Sequence, residues 1–157
     1  MSVDAIYNYV VLSEALGTAG QPSQEQMRAV ADAGYEVVIN LDLPNSRYAI
    51  TDEPGLVTSL GMAYHNIAVD FANPTVADLR RFVDTLDAQS GKKVLVHCAA
   101  NYRVSTFISL YGQKRWGWSE SEADAHIRRL WEPNEVWAGF IADARQSLHT
   151  VEDTPTD

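Results

Sequence analysis

The sequence carries a single cysteine, Cys98, so no intramolecular disulfide can form and a cysteine-rich metal site is excluded. Basic residues are also scarce: 12 Lys and Arg stand against 21 Asp and Glu, for a formal net charge of -9. A chain this acidic offers no broad cationic surface, which makes nucleic acid and acidic membrane poor candidate partners. Any phosphate it binds must be held by a few aimed groups. No apolar run is long enough to span a bilayer. The start of the chain lacks a secretory pattern, because Asp4, Asn8 and Glu14 interrupt its apolar residues and no basic residue precedes them. The expected compartment is therefore cytoplasmic. His65, His126 and His149 show no metal-ligand spacing, and no metal or other cofactor is expected.

What is present fits one soluble domain. The chain has 157 residues, 46% of them apolar and 21% charged. The expected division is a domain over 1–149 and an acidic, flexible tail over 150–157, where Thr, Glu, Asp and Pro dominate. Ser23 and Gln26 form a capping-box pattern for a helix carrying Met27, Val30 and Ala31 and stopped by Gly34. Val37 to Ile39 reads as a short buried strand. A helix start at Thr51-Asp52-Glu53-Pro54, a strand over Tyr64 to Val69 and a helix after Asn73-Pro74-Thr75 follow. Val94-Leu95-Val96 has the unbroken apolar character of a strand covered on both faces. Three helical segments, about 104–116, 119–131 and 134–149, make the last third helical, with Ser119 and Glu122 capping the second. The predicted class is α/β, with a mainly parallel sheet flanked by helices. Ligands of such sheets sit at the carboxyl ends of the strands, which singles out Asp42, Asp70 and Cys98.

The stretch His97-Cys98-Ala99-Ala100-Asn101-Tyr102-Arg103-Val104-Ser105-Thr106 runs from a buried strand into a helix near Arg103. Unpaired N–H groups and the positive end of the helix dipole favour an anion there. The same groups favour thiolate over thiol. Arg103 adds a planar cation that can grip two phosphate oxygens at once. Without a ligand in view, the same residues also read as a buried small cysteine and a surface ion pair. Trp116, Trp118, Trp131 and Trp137 read as packing, and Arg128 and Arg129 as a solvated helix face.

The stretch resembles the signature of cysteine-based protein phosphatases, His-Cys-x5-Arg-Ser/Thr, set between strand and helix. It departs in two ways. Four residues, not five, separate Cys98 from Arg103, and the hydroxyl stands at Ser105, one position late. The short spacing, with Gly20-Gln21-Pro22-Ser23 and Val38-Ile39-Asn40-Leu41 upstream, is similar to the bacterial dual-specificity-like phosphatases called beta-lactamase-hydrolase-like. The likeness covers roughly residues 20–115. It implies a cysteine-phosphatase-like fold and hydrolysis of a phosphomonoester through a thiophosphate on Cys98. It further implies that Ala99, Ala100, Asn101 and Tyr102 bind phosphate with Arg103, that His97 orients the loop, and that Ser105 or Thr106 steadies the leaving thiolate. The substrate would be a phosphorylated protein or a small phosphoester.

Such chemistry needs an acid for the leaving oxygen. Asp70 lies 28 residues before Cys98, close to where related phosphatases carry theirs. It also reads as a turn former before Asn73-Pro74. Asp42 is the runner-up acid and equally a turn residue. Two other functions remain open on these residues. One is a rhodanese-like sulfurtransferase, favoured by the short loop. The other is a non-catalytic phosphate- or phosphopeptide-binding module, favoured by the absence of a loop glycine, although Asn101 tolerates positive φ better than most residues.

Overall fold

The apolar runs pair into one sheet in the computed structural model, which describes residues 2–153 and the side chains of 2–148. Its strands are β1 (Val10–Ser13), β2 (Leu16–Ala19), β3 (Val37–Asn40), β4 (Ala63–Asn66) and β5 (Val94–His97), in the order β1-β2-β5-β3-β4. β2, β5, β3 and β4 run parallel, and β1 turns back antiparallel on β2. The helices are α1 (Gln24–Asp32), α2 (Glu53–Ser59), α3 (Val76–Asp87), α4 (Tyr102–Arg115), α5 (Glu120–Arg128) and α6 (Glu135–Asp153). The expected α/β class and largely parallel sheet hold.

Alternation along each strand divides the core into two layers. Val38 and Leu95 meet Met27 and Val30 of α1 and Val57 of α2. Val37, Ile39, Val94 and Val96 face the other way, onto Phe82 of α3, Phe107 of α4, Ile127 of α5 and Trp137 of α6. β5 is covered on both faces and flanked by strands on both edges. The loop that leaves it therefore starts from the most constrained strand of the sheet.

Local chemistry sets most helix starts. Ser23 and Gln26 complete the predicted capping box of α1, and Ser119 with Glu122 does the same for α5. Three differences from the sequence reading stand out. The hairpin β1–β2 carries no turn signal of the usual kind and was not predicted. The strand expected over 64–69 has regular pairing only through Asn66, but Ile67 and Val69 still donate to the carbonyls of Asn40 and Leu41. α6 runs to Asp153, past the expected start of the tail, and residues 154–157 of that tail lie outside the described residues. Among the described residues no helix is long and apolar enough to cross a membrane.

His126 of α5 is buried beside Trp118, and its Nε2 has no protein partner. Burial lowers its pKa from the ordinary 6.5, and the Arg129 charge adds to the effect. A histidine whose folded pKa is depressed contributes stability above its unfolded pKa and loses it as pH falls through and below that value. The wild type is therefore expected to lose urea stability between neutral pH and about pH 5. His126→Phe, which keeps a ring against Trp118 but has nothing to protonate, should lose less over the same interval. Equal losses in both proteins would remove His126 from the pH response.

Candidate active site

The loop from β5 to α4 is held from outside by its carbonyls. Ala99 O accepts from Gln21 N at 3.0 Å, and Ala100 O accepts from Asn8 Nδ2 at 2.8 Å. Among the described residues no peptide bond is cis, and in a trans peptide C=O and N–H point opposite ways. The N–H groups of Ala100 and Asn101 therefore point away from Gln21 N and Asn8 Nδ2, in the loop that lines the cleft through Cys98, Ala99, Ala100 and Tyr102. The first turn of α4 adds its unpaired N–H groups. The result is a concave nest suited to an anion.

Asn101 is the hinge of this turn. Its φ is 67°, the left-handed region that asparagine enters more readily than other side chains. Its Nδ2 donates to Asn8 O at 2.8 Å and to Thr18 Oγ1 at 3.1 Å. Asn8 also has positive φ, and its Nδ2 holds the Ala100 carbonyl while Asn101 Nδ2 holds the Asn8 carbonyl, so the two asparagines tie the loop to the segment before β1. Gly20 is required where it stands, because a Cβ there would fall 2.7 Å from the Ala99 carbonyl oxygen. Asn8, Thr18 and Gly20 build the loop's support. In the sequence Asn8 showed only as a break in an apolar run, and Gly20 only as part of a motif.

Arg103 is buried and doubly anchored. Its Nη2 lies 3.0 Å from Asp42 Oδ1, and its Nη1 donates to the Val69 carbonyl at 2.8 Å. Three of its five N–H donors remain for an anion. Asn40 places Asp42: its Oδ1 accepts from Asp42 N at 2.9 Å. Asp42, the runner-up acid, is thus set as the counterion of Arg103 and not as an exposed proton donor. The Val69 contact ties the guanidinium to the segment that carries Asp70.

His97 is fully buried, with Nε2 2.6 Å from Glu53 Oε2 and Nδ1 3.3 Å from the Cys98 carbonyl oxygen. Glu53 is buried as well, and its Oε1 accepts from Gln21 Nε2 at 2.9 Å. Sequence reasoning saw Glu53 only as a helix start, because nothing local marks an acid whose partner lies 44 residues away. Nearby, Tyr64 accepts from Asn40 Nδ2. Burial pushes its phenol up to about 12, the Glu53 and Asp42 charges add to this, and the Asn40 bond opposes it.

Asp70 is exposed on the cleft wall, with Oδ1 accepting from Ala72 N at 2.9 Å. Its segment is fixed by aromatic packing. Trp137 Nε1 donates to Phe71 O at 2.8 Å, and Phe71 lies against Trp131 and Trp137. Trp131 in turn stacks on Tyr102, with ring centroids 4.9 Å apart. These tryptophans are packing, as expected, but they join the first turn of α4 to the Asp70 segment. Ser105 and Thr106 both donate to the Tyr102 carbonyl at 3.0 Å, and neither lines the cleft. For either hydroxyl to steady a thiolate on Cys98, it would first have to give up that bond.

The cleft measures about 860 Å³ and has apolar and aromatic walls that include Tyr7, Tyr48, Ile50 and Phe71. Among the described residues that line it, Arg103 is the one cation. Cys98, Arg103, Asp42 and Asp70 come together there from three strand ends, whereas Ser105 faces elsewhere. A buried thiol at the floor, an anion nest around it, a fixed guanidinium and a carboxyl on the wall form a site for attack on an anionic tetrahedral centre. Among the described residues no group of three His, Cys, Asp or Glu is placed to hold a metal.

No family model matches the chain, and no curated protein matches it in sequence. Two crystal structures of a protein from Shewanella putrefaciens CN-32, described as "Putative phosphatase (DUF442)", are similar to it. One is 33% identical with a TM-score of 0.84, covering 93% of this chain and 96% of that one. The other is 34% identical with a TM-score of 0.77, covering 96% and 92%. A structure of PTPMT1 in complex with PI(5)P is 18% identical, with a TM-score of 0.75 over 92% of this chain and 98% of that one. At that identity the likeness speaks for the fold alone.

Proposed function

We propose that this chain, which belongs to the DUF442 family within the cysteine-phosphatase fold, hydrolyses a phosphomonoester through a covalent thiophosphate on Cys98. The observation that carries the reading is that Cys98, at the end of the central strand, and Arg103, anchored by Asp42 and the Val69 carbonyl, line one cleft at the start of α4. In the first step the Cys98 thiolate attacks phosphorus, the P–O ester bond breaks, and Asp70 gives its proton to the leaving oxygen. In the second, water attacks phosphorus, its proton passes to Asp70, and the P–S bond breaks to return thiolate and inorganic phosphate. Throughout, loop N–H groups and Arg103 hold the equatorial oxygens, where charge accumulates. His97 orients the loop from behind. The left-handed Asn101 supplies the turn that the absent glycine would otherwise provide, which argues against a binding-only module.

The aromatic walls and the single lining cation favour a substrate with one phosphate on an aromatic or apolar alcohol. Purified protein should therefore hydrolyse p-nitrophenyl phosphate, with inhibition by vanadate, and should make little thiocyanate from thiosulfate and cyanide. Asp70→Asn should slow phenyl phosphate, whose leaving group needs a proton, by about 10²–10⁴-fold. It should slow p-nitrophenyl phosphate much less. Equal losses on both substrates would remove Asp70 as the acid. Thiocyanate formation without vanadate-sensitive hydrolysis would replace phosphoryl transfer by sulfur transfer.

A further inference from the structure

Trp137 is fully buried near the start of α6, and its indole N–H is spent on a backbone carbonyl 66 residues back, that of Phe71 at 2.8 Å. Phe71 directly follows Asp70. The carbonyl just before Asp70, that of Val69, accepts from Arg103 Nη1 at 2.8 Å. Each chain neighbour of Asp70 is thus tied by its carbonyl to a different helix, one to α4 and the other to α6. Asp70 closes the turn between them: its Oδ1 accepts from Ala72 N at 2.9 Å and its carbonyl from Asn73 N at 3.0 Å. The second carboxyl oxygen is left for a proton. Trp137 has little room to turn elsewhere. Asn134 Oδ1 accepts from its backbone N–H at 2.9 Å and fixes the first turn of α6. Rings of Phe71, Phe107, Trp131 and Phe140 surround the indole, with centroids 5.3–6.1 Å away. The Phe71 ring also lies under the Arg103 guanidinium, 5.7 Å from Cζ to centroid. A buried indole N–H needs an acceptor somewhere. Here that acceptor is one residue from the carboxyl on the cleft wall.

We propose that Trp137 is a positioning residue for the general acid: its N–H on the Phe71 carbonyl, with Arg103 on the Val69 carbonyl, holds Asp70 at the cleft before substrate arrives. The proposal rests on Asp70 being the proton donor. A proton reaches the leaving oxygen only within hydrogen-bond reach, so the acid's contribution depends on where its segment is held. A loosened segment keeps the carboxyl but spends less time in reach. Trp137 does not line the cleft, so losing its hold should weaken proton donation and leave Cys98 and the anion-binding groups as they are.

Trp137→Phe removes the N–H and keeps a ring in the core. Hydrolysis of phenyl phosphate, whose leaving group needs a proton, should slow by about tenfold to a hundredfold. Hydrolysis of p-nitrophenyl phosphate should hardly change. Vanadate inhibition and the pH profile of Cys98 alkylation by iodoacetamide should match wild type, since neither uses the acid. In an Asp70→Asn background, adding Trp137→Phe should cost nothing further on phenyl phosphate, because no acid is left to misplace. Equal losses on both substrates, or losses that multiply in the double variant, would overturn the proposal and make Trp137 a core residue only. If Trp137→Phe does not fold, the sulfur isostere β-(3-benzothienyl)alanine at position 137 serves. It keeps the two-ring shape and has no N–H, and the same two outcomes decide. Asp70→Asn tests the underlying reading separately. No difference between the two substrates there would mean that Asp70 is not the acid, and the proposal falls with it. A difference there and none on removing the Trp137 N–H overturns the proposal alone.

Discussion

Cys98→Ser is expected to reduce hydrolysis of p-nitrophenyl phosphate by roughly 10⁴–10⁶-fold, the scale on which removing a nucleophile disables a catalytic unit. Serine is close to cysteine in size, and Cys98 is only 1% exposed at the end of the central strand, so the loop should keep its shape. What changes is ionisation: an alcohol does not become an anion near neutral pH, however many N–H groups face it. The variant should therefore still bind vanadate or inorganic phosphate, within about tenfold of wild type, because the nest and Arg103 are untouched. Rapid quenching of the wild type followed by intact-mass measurement should show a phosphate adduct that the variant lacks. A serine variant that keeps a hundredth of the activity would mean that another group attacks phosphorus. A persulfide in place of the phosphate adduct would keep Cys98 as the nucleophile but change the reaction.

Arg103→Ala should injure the protein in two separable ways. Loss of the fixed donors to the equatorial oxygens should lower kcat by about 10²–10³-fold, as loss of an oxyanion-hole donor does. Independently, Asp42 would be left as a buried carboxylate whose partner has gone, with its Oδ2 already lacking a protein partner. Both members of the pair have side chains less than a tenth exposed, so this costs about 3–5 kcal/mol of stability. Adding Asp42→Asn should return most of the stability, since no unpaired charge then remains, and return none of the activity. Urea unfolding and steady-state kinetics on the single and double variants read the two effects apart. Activity within tenfold of wild type in Arg103→Ala would remove Arg103 from phosphate binding. A double variant as unstable as the single one would show that the ion pair is not what Arg103 contributes to folding.

Much of the site was legible because it is local in sequence. His97, Cys98 and Arg103 lie within seven consecutive residues, between a continuous apolar run and a helix, and that order alone puts a thiol and a guanidinium at a helix N-terminus. Asp70 was legible for a related reason: it follows an apolar segment, and strand ends of a parallel sheet share one edge. The roles of Asp42 and Glu53 were not legible. Each is an acid near a turn or helix start, and such positions suit acids for reasons unrelated to any site. Only the partner opposite, Arg103 or His97, distinguishes them, and those partners come from β5 and α4, tens of residues along the chain. Ser105 illustrates the converse. A hydroxyl close in sequence to the loop was assigned to the thiolate, but one step along a helix turns a side chain by about 100°, and its hydroxyl bonds the Tyr102 carbonyl.

The sequence by itself determined the alternation of strand and helix, the capping of α1 and α5, and the strand-to-loop-to-helix passage that carries Cys98 and Arg103. Each of these depends on residues a few positions apart, where chain geometry leaves little freedom. The tertiary structure decided what supports that passage: the Asn8–Asn101 clasp, the Gly20 contact with Ala99, the burial of Glu53 against His97, and the tryptophans that join Tyr102 to the Asp70 segment. These contacts link residues separated by tens of positions. Their energies come from burial and from pairing of buried charge, quantities that exist only once the sheet has brought distant strand ends to one edge.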